Sequence, residues 1–454
     1  MPPWKPHLPE DGRPRYQAIA EALRADLRAG RLAPGQRLPP QRALAAALGL
    51  DLTTITRAFN LAREMGLVEA RAGRGSFVRT APPEAPPPAL IDLSMNMPPQ
   101  PEAARLHAHM AEGVAALLAA PGGEAALHYQ DSLGAAPDRA AAARWLAPRL
   151  GRVPVARLLV AVGAQAALAA ILRLLLAPGE ALGVPALTYP GLRAAAARQG
   201  LRLVPLAMDA EGLIPGAVAE ACQRERLRAL YCVPTLDNPT TATLPARRRE
   251  EIIALARRHD LPLVEDDAYG ALPAAAPPPL AALAPERTWH VATLSKCLTP
   301  ALRLAYVATP GPAETLRLGA ELRAATLMAP PLMAALATRW VADGTAAEIT
   351  AAIRAESMAR QALAARVLRG WALRAGPEGH HVWLDLPESW HGADPSSQAR
   401  QSGLALVPGG AFGGGGRGLR IALGAAPDRA TLEEGLRALA ALLAQGPGGM
   451  AAVV

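Results

Sequence analysis

The stretch TLSKCLTPALRLAY, residues 293–306, places a lysine directly after an apolar strand candidate at 288–294. That lysine, Lys296, is one of only two among the 47 basic residues of the 454-residue chain, the other being Lys5. Arginine has replaced lysine almost everywhere, but a guanidinium stays protonated and cannot form a Schiff base. A lysine retained in the middle of such a chain is therefore a candidate for covalent chemistry.

The sequence on either side of this stretch alternates apolar strand candidates with helices rich in Ala, Leu and Arg. The strand candidates are 158–162, 181–184, 201–206, 228–233, 261–265, 288–294 and 303–308. This alternation predicts an α/β domain with a mostly parallel sheet. Shorter strands among helices indicate a smaller α+β lobe at the end of the chain, with strand candidates at 380–386, 404–407 and 418–423.

Residues suited to a pyridoxal 5′-phosphate (PLP) site follow several of these strands, where α/β sheets place their ligands. Besides a lysine, such a site needs a carboxylate for the pyridine nitrogen, a donor to the ring oxygen, an aromatic ring and a phosphate cradle. The turn 162–165 joins a strand to a helix N-terminus, which suits a phosphate dianion. The candidates are Lys296, Asp266, Tyr269, Asn238, Gly163, Ala164, Gln165, Ser295 and Arg303. Taken alone, Asp266 and its acidic neighbours could equally form a solvated turn.

The charge of the chain is concentrated at its start. Residues 1–80 hold 13 Lys/Arg against 7 Asp/Glu, whereas the remaining residues hold 34 against 32. A basic head on a near-neutral body indicates a polyanionic partner, although charge alone is equally compatible with a solvated basic surface. Helical patterns at 16–29, 41–48 and 51–65, followed by a hairpin at 67–78, predict a winged helix-turn-helix. The alternative is a small helical domain with a basic loop.

A proline-rich segment, APPEAPPPAL at 81–90, is the clearest domain boundary in the chain. The predicted organisation is a DNA-binding domain (1–79), a linker (80–91) and a PLP domain (92–454) with a large lobe at about 120–329 and a small lobe at about 330–454. The most apolar stretch, 158–176, contains Gly163 and Arg173 and is interpreted as strand, turn and helix rather than a membrane span. Three cysteines without metal-ligand spacing predict a reduced, cytoplasmic protein without a metal site.

Residues 92–454 resemble the fold-type I PLP enzymes of the aminotransferase class I/II family. The matching stretches are YQDSLG (129–134), AVGAQAAL (161–168), DNPT (237–240), VEDDAY (264–269) and TLSKCLTPALRLAY (293–306). Residues 14–79 resemble the GntR-type winged helix through LPPQRALAAALGL (38–50), DLTTITRAF (51–59) and GLVEARAGRGSFV (66–78). The two domains in this order resemble a MocR-type regulator.

The resemblance implies a role for each matching position of the cofactor site. Lys296 would be the Schiff-base lysine and Asp266 the partner of the pyridinium nitrogen. Tyr269 and Asn238 would donate to the phenolate oxygen, and Tyr189 would stack on the ring. The groups implied to hold the phosphate are the backbone of Gly163, Ala164 and Gln165 with the side chains of Ser295 and Arg303.

The resemblance also implies partners. Tyr129 would reach the phosphate of the partner subunit in a homodimer, and Arg420, in GLRIALG at 418–424, would bind a substrate α-carboxylate. Contacts to double-stranded DNA are implied for Arg42, Thr53, Thr54, Arg57 and Arg74.

Three departures from the family pattern bear on the activity. Thr241 and Ala305 stand where the family has glycine, and VPALTYP, at 184–190, lacks the acidic residue common in that segment. The added bulk near the site argues against substrate turnover more than against PLP binding. The basic head and the proline-rich segment, which an isolated aminotransferase would not need, favour a PLP-dependent transcriptional regulator that senses an amino acid or related amine through a Lys296 aldimine. The alternatives are an active aminotransferase with a keto-acid acceptor and a PLP-binding scaffold without an effector.

Overall fold

A computed structural model gives the structure of the chain. It describes residues 4–6, 8, 14–71, 75–79, 90–390, 393, 395–415 and 417–447. The chain divides into two compact units, 1–89 and 90–454. Arg74, in the predicted wing turn, and residues 80–89 of the predicted linker lie outside the described residues. Within the described ranges, no helix is both long and apolar enough to cross a bilayer.

Three helices and an antiparallel hairpin form the first unit, which confirms the predicted winged helix-turn-helix. They are α1 (Arg15–Arg28), α2 (Gln41–Leu48), α3 (Leu52–Glu64), β1 (Val68–Arg71) and β2 (Gly75–Val78). The apolar face of α3 packs inward, because Ile55 and Phe59 are buried in one cluster with Leu23 of α1. Gly49 ends α2 with a φ of +64°, a conformation that favours glycine. Asp51 occupies the N-cap position of α3, but its side chain forms no capping hydrogen bond.

The second unit contains most of the strands. They are β3 (Ile91–Asp92), β4 (Leu158–Ala161), β5 (Ala181–Pro185), β6 (Arg202–Leu206), β7 (Met208–Asp209), β8 (Gly212–Leu213), β9 (Leu227–Cys232), β10 (Leu263–Asp266), β11 (Thr288–Thr293), β12 (Ala305–Ala308), β13 (Leu373–Ala375), β14 (His381–Asp385), β15 (Leu404–Ala405), β16 (Val407–Pro408) and β17 (Gly418–Ala422).

Helices alternate with these strands along the chain. They are α4 (Leu106–Ala119), α5 (Ala136–Leu150), α6 (Gly163–Leu175), α7 (Pro190–Arg198), α8 (Pro215–Arg224), α9 (Ala246–Arg258), α10 (Leu280–Leu283), α11 (Pro312–Thr326), α12 (Pro331–Asp343), α13 (Thr345–Val367), α14 (Pro395–Gln401) and α15 (Arg429–Gln445). Short 3₁₀ helices lie at Glu102–Ala104, Gly123–Leu127, Val155–Arg157, Pro300–Leu302, Glu388–Trp390 and Gly409–Phe412.

A seven-stranded sheet forms the centre of the second unit, in the order β4-β12-β11-β10-β9-β5-β6. β12 runs antiparallel to both of its neighbours, and the other pairs are parallel. Every residue of β4, β5, β10, β11 and β12 is buried, as expected for strands covered on both faces. The predicted α/β domain with a mostly parallel sheet is confirmed.

A smaller antiparallel sheet, β13-β14-β17-β16, forms a second core with α15 and the end of α13, as predicted for an α+β lobe. β3 pairs in parallel with β15, so the chain enters the unit beside this lobe, with Ile91 opposite Leu404. The helices after residue 330 begin in the other core, because Trp340 of α12 and Ile353 of α13 pack with the large sheet.

Candidate functional site

The carboxyl ends of three neighbouring strands bring several predicted site residues together. β9, β10 and β11 are adjacent and parallel, so the segments that follow them emerge at one edge of the sheet. Asn238 lies in the segment after β9, Asp266 is the last residue of β10, and Lys296 follows β11. Open α/β sheets bind their ligands at this edge.

The Lys296 side chain is hydrogen-bonded to the segment that follows β3. Its Nζ donates a hydrogen bond to the backbone oxygen of Asn96, and its own backbone oxygen lies 2.7 Å from Nε2 of His380. Burial lowers the pKa of Lys296 to about 8, assisted by the charge of Arg420 and opposed by that of Asp266. A lysine with a lowered pKa offers more unprotonated amine near neutral pH, which attack on a carbonyl requires.

Asp266 and Tyr231 are buried side by side on β10 and β9. The Tyr231 hydroxyl donates to Oδ2 of Asp266 at 3.0 Å, whereas Oδ1 is buried without a hydrogen-bond partner in the part of the chain that the structure describes. Burial raises the pKa of Asp266 to about 6, against the hydrogen bond from Tyr231. One carboxylate oxygen is therefore free to accept from a ligand, and a cationic N–H would keep Asp266 ionised.

The two acidic neighbours of Asp266 are also buried, which excludes the solvated acidic turn considered from the sequence. Glu265 accepts two backbone N–H groups at the start of α10, at 2.7 and 2.9 Å, and lies 3.0 Å from Nδ1 of His290. Asp267 pairs with Nη2 and Nε of Arg149 at 3.1 and 3.2 Å, and lies 3.7 Å from Nε2 of His290. A buried cluster of compensating charges thus supports the strand that presents Asp266.

Tyr269 is buried, and its hydroxyl belongs to a hydrogen-bonded cluster that the sequence analysis missed. Nδ2 of Asn96 lies 2.8 Å from this hydroxyl and 3.2 Å from Nδ1 of His381. Nε2 of His381 lies 3.1 Å from the backbone oxygen of Asp237. Asn96 is one of three asparagines in the chain, but neither a helical nor an alternating pattern around it indicates that it folds back over Lys296.

The first turn of α6 and Arg303 lie together, as expected of a phosphate cradle. Gly163 begins α6 with a φ of +73°, and a Cβ built on it would lie 3.7 Å from the Arg303 guanidinium. The first N–H groups of a helix have no partner within it, so those of Gly163, Ala164 and Gln165 are available to an anion. Arg303 is exposed and makes no ion pair or hydrogen bond through its guanidinium within the described ranges.

Two of the predicted phosphate contacts have side chains that already make hydrogen bonds. Nε2 of Gln165 donates to the backbone oxygen of Gly191 at 2.8 Å, and Oγ of Ser295 accepts from the Thr293 hydroxyl at 3.1 Å. Gln165 can therefore contribute its backbone N–H, which is the group predicted. Ser295 keeps its own hydroxyl hydrogen for a ligand.

The other two tyrosines predicted to contact the cofactor, Tyr189 and Tyr129, lie in different places. Tyr189 is partly buried at the start of α7, and a Cβ on Gly191 would lie 2.5 Å from its ring, so a glycine there leaves room for the ring. Burial and the charge of Asp266 raise the pKa of Tyr189. The influence of Asp266 indicates that Tyr189 lies near the sheet edge that carries Lys296. Tyr129 is 83% exposed and lines a separate surface pocket. No contact between described residues joins it to Lys296.

Arg420, on β17, extends its guanidinium to the same sheet edge. Nη1 donates to Oδ1 of Asn238 at 3.2 Å, and Nη2 donates to the backbone oxygen of Ser94. The guanidinium lies over the ring of Phe412 at 5.2 Å, while Nε is buried and unpaired with any described residue. Burial lowers the pKa of Arg420, but a guanidinium remains charged in proteins. A buried guanidinium with an unsatisfied N–H suits a carboxylate ligand.

The predicted DNA contacts lie on α2 and α3 of the first unit. Thr54 is partly buried, and the exposed members of the set are Arg42, Thr53 and Arg57. The Arg57 guanidinium stacks over the ring of Tyr16 at 4.8 Å, which holds a cation on α3. A helix-turn-helix places its second helix, here α3, in the major groove as the recognition helix. Arg74, predicted for the wing tip, cannot be placed because it lies outside the described residues.

Two family models match the chain. The model described as aminotransferase class I and II matches residues 88–439, which is more than half of the chain. The model described as bacterial regulatory proteins of the gntR family matches residues 15–78. The two matches together span the winged helix-turn-helix and the unit that contains Lys296.

This chain is similar both to a transcriptional regulator and to a transaminase. An uncharacterized HTH-type transcriptional regulator of Bacillus subtilis, YdeF, is 30% identical over 97% of this chain and 96% of its own length. A 2-aminoadipate transaminase of Thermus thermophilus is 31% identical over 70% of this chain and 81% of its own length. The similarity to the regulator therefore extends over both units.

The fold is also similar to a solved structure. The crystal structure of LysN, an α-aminoadipate aminotransferase from Thermus thermophilus complexed with N-(5′-phosphopyridoxyl)-L-leucine, matches with a TM-score of 0.72 and 29% identity. The match covers 80% of this chain and 94% of that chain.

Proposed function

This chain belongs to the class I and II aminotransferase family, as a MocR-type member with a GntR-type domain, and we propose that it regulates transcription in response to an amino compound. PLP, when bound, supplies a carbonyl that condenses with primary amines and a ring that accepts electrons. The N-terminal winged helix-turn-helix binds operator DNA. The aminotransferase-like unit binds PLP at Lys296 and recognises the amino compound there.

The observation that carries this proposal is the unpaired Oδ1 of Asp266. A buried carboxylate oxygen without a partner is unfavourable unless a ligand satisfies it. No described residue does so, and the N–H of a protonated pyridine ring is a suitable donor. Lys296, whose pKa is lowered to about 8, follows the adjacent strand and offers the amine that PLP requires.

The charges around the sheet edge also fit this cofactor and an amino acid. Arg303 and the first turn of α6 would hold the dianionic phosphate, with the hydroxyl of Ser295 as a further donor. Arg420 would exchange the backbone oxygen of Ser94 for the carboxylate of the amino compound, which is a stronger acceptor. Asn238, already bonded to Arg420, would contact both ligands.

A homodimer would complete the site. Tyr129 is exposed on one chain and makes no contact with the Lys296 group among described residues. The family resemblance assigns this tyrosine to the phosphate of the partner subunit, and an exposed tyrosine is free to take that role. We therefore include a homodimer in the proposed function.

A working aminotransferase is the second candidate, because the described site keeps every group that a transamination half-reaction needs. With an amino acid bound, Lys296 would take a proton from its Cα, Asp266 would stabilise the ring nitrogen, and Arg420 would hold the carboxylate. Catalytic product formation with a keto-acid acceptor would favour this candidate. Spectral change and altered DNA binding without turnover would favour the regulator.

The test is the absorption spectrum of the purified full-length protein with added PLP, recorded beside Lys296→Ala. We expect a visible band in the wild type that borohydride fixes to one lysine, and no such fixation in the variant. Lys5→Ala is a matched control, because the chain contains no third lysine. A wild type without a visible band, or a label that persists in Lys296→Ala and disappears in Lys5→Ala, would refute the proposed cofactor site.

A further inference from the structure

Asn96 contacts three groups of the candidate site. Its backbone oxygen accepts from Nζ of Lys296, and its Nδ2 lies 2.8 Å from the Tyr269 hydroxyl and 3.2 Å from Nδ1 of His381. The residue is 6% exposed, so these hydrogen bonds are largely shielded from water. The direction of each hydrogen bond decides whether the hydroxyl hydrogen of Tyr269 remains available to a ligand.

His381 fixes that direction. Its Nε2 lies 3.1 Å from the backbone oxygen of Asp237, which can only accept. Burial lowers the pKa of His381 to about 3, and the positive charges of Arg420 and Lys296 contribute to the shift. The imidazole is therefore neutral near pH 7 and carries its hydrogen on Nε2, which leaves Nδ1 as an acceptor.

An accepting Nδ1 on His381 requires Asn96 to present an N–H. An amide nitrogen carries two hydrogens, and the second is directed at the Tyr269 oxygen. Because this oxygen accepts from Asn96, the hydroxyl hydrogen of Tyr269 must point away from Asn96. Among the described residues, none accepts that hydrogen, so it remains for a ligand at the site.

We propose that Asn96 and His381 are positioning residues that direct the Tyr269 hydroxyl hydrogen toward the ring oxygen of PLP. The inference rests on the proposed binding of PLP at Lys296. A hydrogen bond to the ring oxygen stabilises its anionic form, and this lowers the pH at which the cofactor linked to lysine loses its proton. Asn96 therefore sets the pH dependence of the cofactor through Tyr269.

Two substitutions separate this role from a purely structural one. Asn96→Asp is nearly isosteric, but an ionised carboxylate only accepts, so the Tyr269 hydrogen would turn toward residue 96 and away from PLP. Asn96→Leu removes both amide donors without adding charge and leaves the hydroxyl free to rotate. It also provides a second test if the buried carboxylate prevents folding. Tyr269→Phe removes the hydroxyl itself.

The experiment is a pH titration of the visible band of the full-length protein loaded with PLP. We expect the midpoint to rise by about one pH unit in Asn96→Asp and in Tyr269→Phe, and by less in Asn96→Leu. In the double variant Asn96→Asp/Tyr269→Phe, the midpoint should match that of Tyr269→Phe, because Asn96 acts through the hydroxyl.

The result that overturns the inference is an Asn96→Asp shift of equal size with and without the Tyr269 hydroxyl, because the new charge alone would then explain it. Unchanged midpoints in both Asn96 variants would overturn it as well. A wild-type protein that develops no visible band with PLP contradicts the proposed cofactor instead, so the two failures are distinguishable.

Discussion

The Tyr231 hydroxyl donates to Oδ2 of Asp266 at 3.0 Å, and Oδ1 of the same carboxylate is buried without a described partner. The two oxygens therefore differ in their hydrogen bonding. The neighbouring strand fixes the orientation of the carboxylate through Oδ2, and Oδ1 is left for a ligand. Burial raises the pKa of Asp266 to about 6 even though the hydrogen bond from Tyr231 opposes the shift, so a cationic N–H at Oδ1 would lower it and form a charge pair at neutral pH.

Asp266→Asn should weaken PLP binding by about tenfold to a hundredfold, because a hydrogen bond to a charged group is worth about 1.5–3 kcal/mol. Tyr231→Phe should weaken it less, since the carboxylate keeps its charge and loses only its orienting bond. PLP titration followed by absorbance measures both. Asp343→Asn, on the solvated end of α12, is the control. Equal PLP affinity in Asp266→Asn and wild type would contradict the role of Asp266.

Gly163→Ala should reduce PLP affinity through the phosphate cradle. A Cβ at a φ of +73° is strained by about 1–2 kcal/mol, and it would project beside the Arg303 guanidinium. Gly179→Ala is a matched control, because Gly179 has a φ of +86° and open space around it. Both variants carry similar backbone strain, so only Gly163→Ala should need more PLP for half-saturation. The same PLP requirement in both would contradict the cradle.

The sequence predicts those site residues that follow strand ends, and misses those that depend on contacts between distant segments. Lys296 and Asp266 are identifiable because the alternation of strands and helices places them at one sheet edge. Asn96 is not, because its position depends on the pairing of β3 with β15, more than 300 residues away. Tyr231 lies within an apolar strand candidate, and only the register of β9 with β10 reveals its bond to Asp266.

His290→Gln should destabilise the second unit in a pH-dependent way. Burial opposes the charged imidazole, but its hydrogen bond to Glu265 prevails and raises the pKa of His290. Burial likewise opposes the Glu265 carboxylate, but the bond to His290 prevails and lowers its pKa. The contribution of His290 to the free energy of unfolding is complete below about pH 6.5 and is lost as pH rises through its raised pKa. The contribution of Glu265 is complete above about pH 4.5 and is lost as pH falls through its lowered pKa.

The destabilisation by His290→Gln should therefore be largest between about pH 4.5 and 6.5. It should reach about 3 kcal/mol there, because an unpaired buried charge remains, and it should shrink in alkaline buffer. The thermal unfolding midpoint as a function of pH measures this, with exposed His107→Gln as the control. A difference from wild type that does not depend on pH would show that folding does not raise the pKa of His290.

Arg420→Lys should weaken the response to amino acids while leaving PLP binding nearly unchanged. A lysine keeps the charge but cannot form the bidentate fork, so about ten times more amino acid should be needed for the same spectral change. The probe is an α-amino acid that alters the wild-type spectrum, compared with the amine that lacks its carboxylate. Arg369→Lys, at an exposed position, is the control. An equal loss of response to the amine would assign Arg420 a structural role.

If Arg57 contacts a phosphate rather than a base, as we propose, Arg57→Ala should weaken DNA binding uniformly across sequences. The contact with the Tyr16 ring would hold the cation for this role. Removing one Arg–phosphate interaction should lower the slope of log affinity against log salt by about one. Thr53→Ala should instead alter sequence preference, since the first turn of a recognition helix reaches base edges. Fluorescence anisotropy on fragments enriched by the wild-type protein measures both effects, and Arg317→Ala, exposed in the second unit, is the matched control. An Arg57→Ala protein that keeps the wild-type salt slope would remove Arg57 from the DNA interface and leave its contact with Tyr16 as a purely structural one.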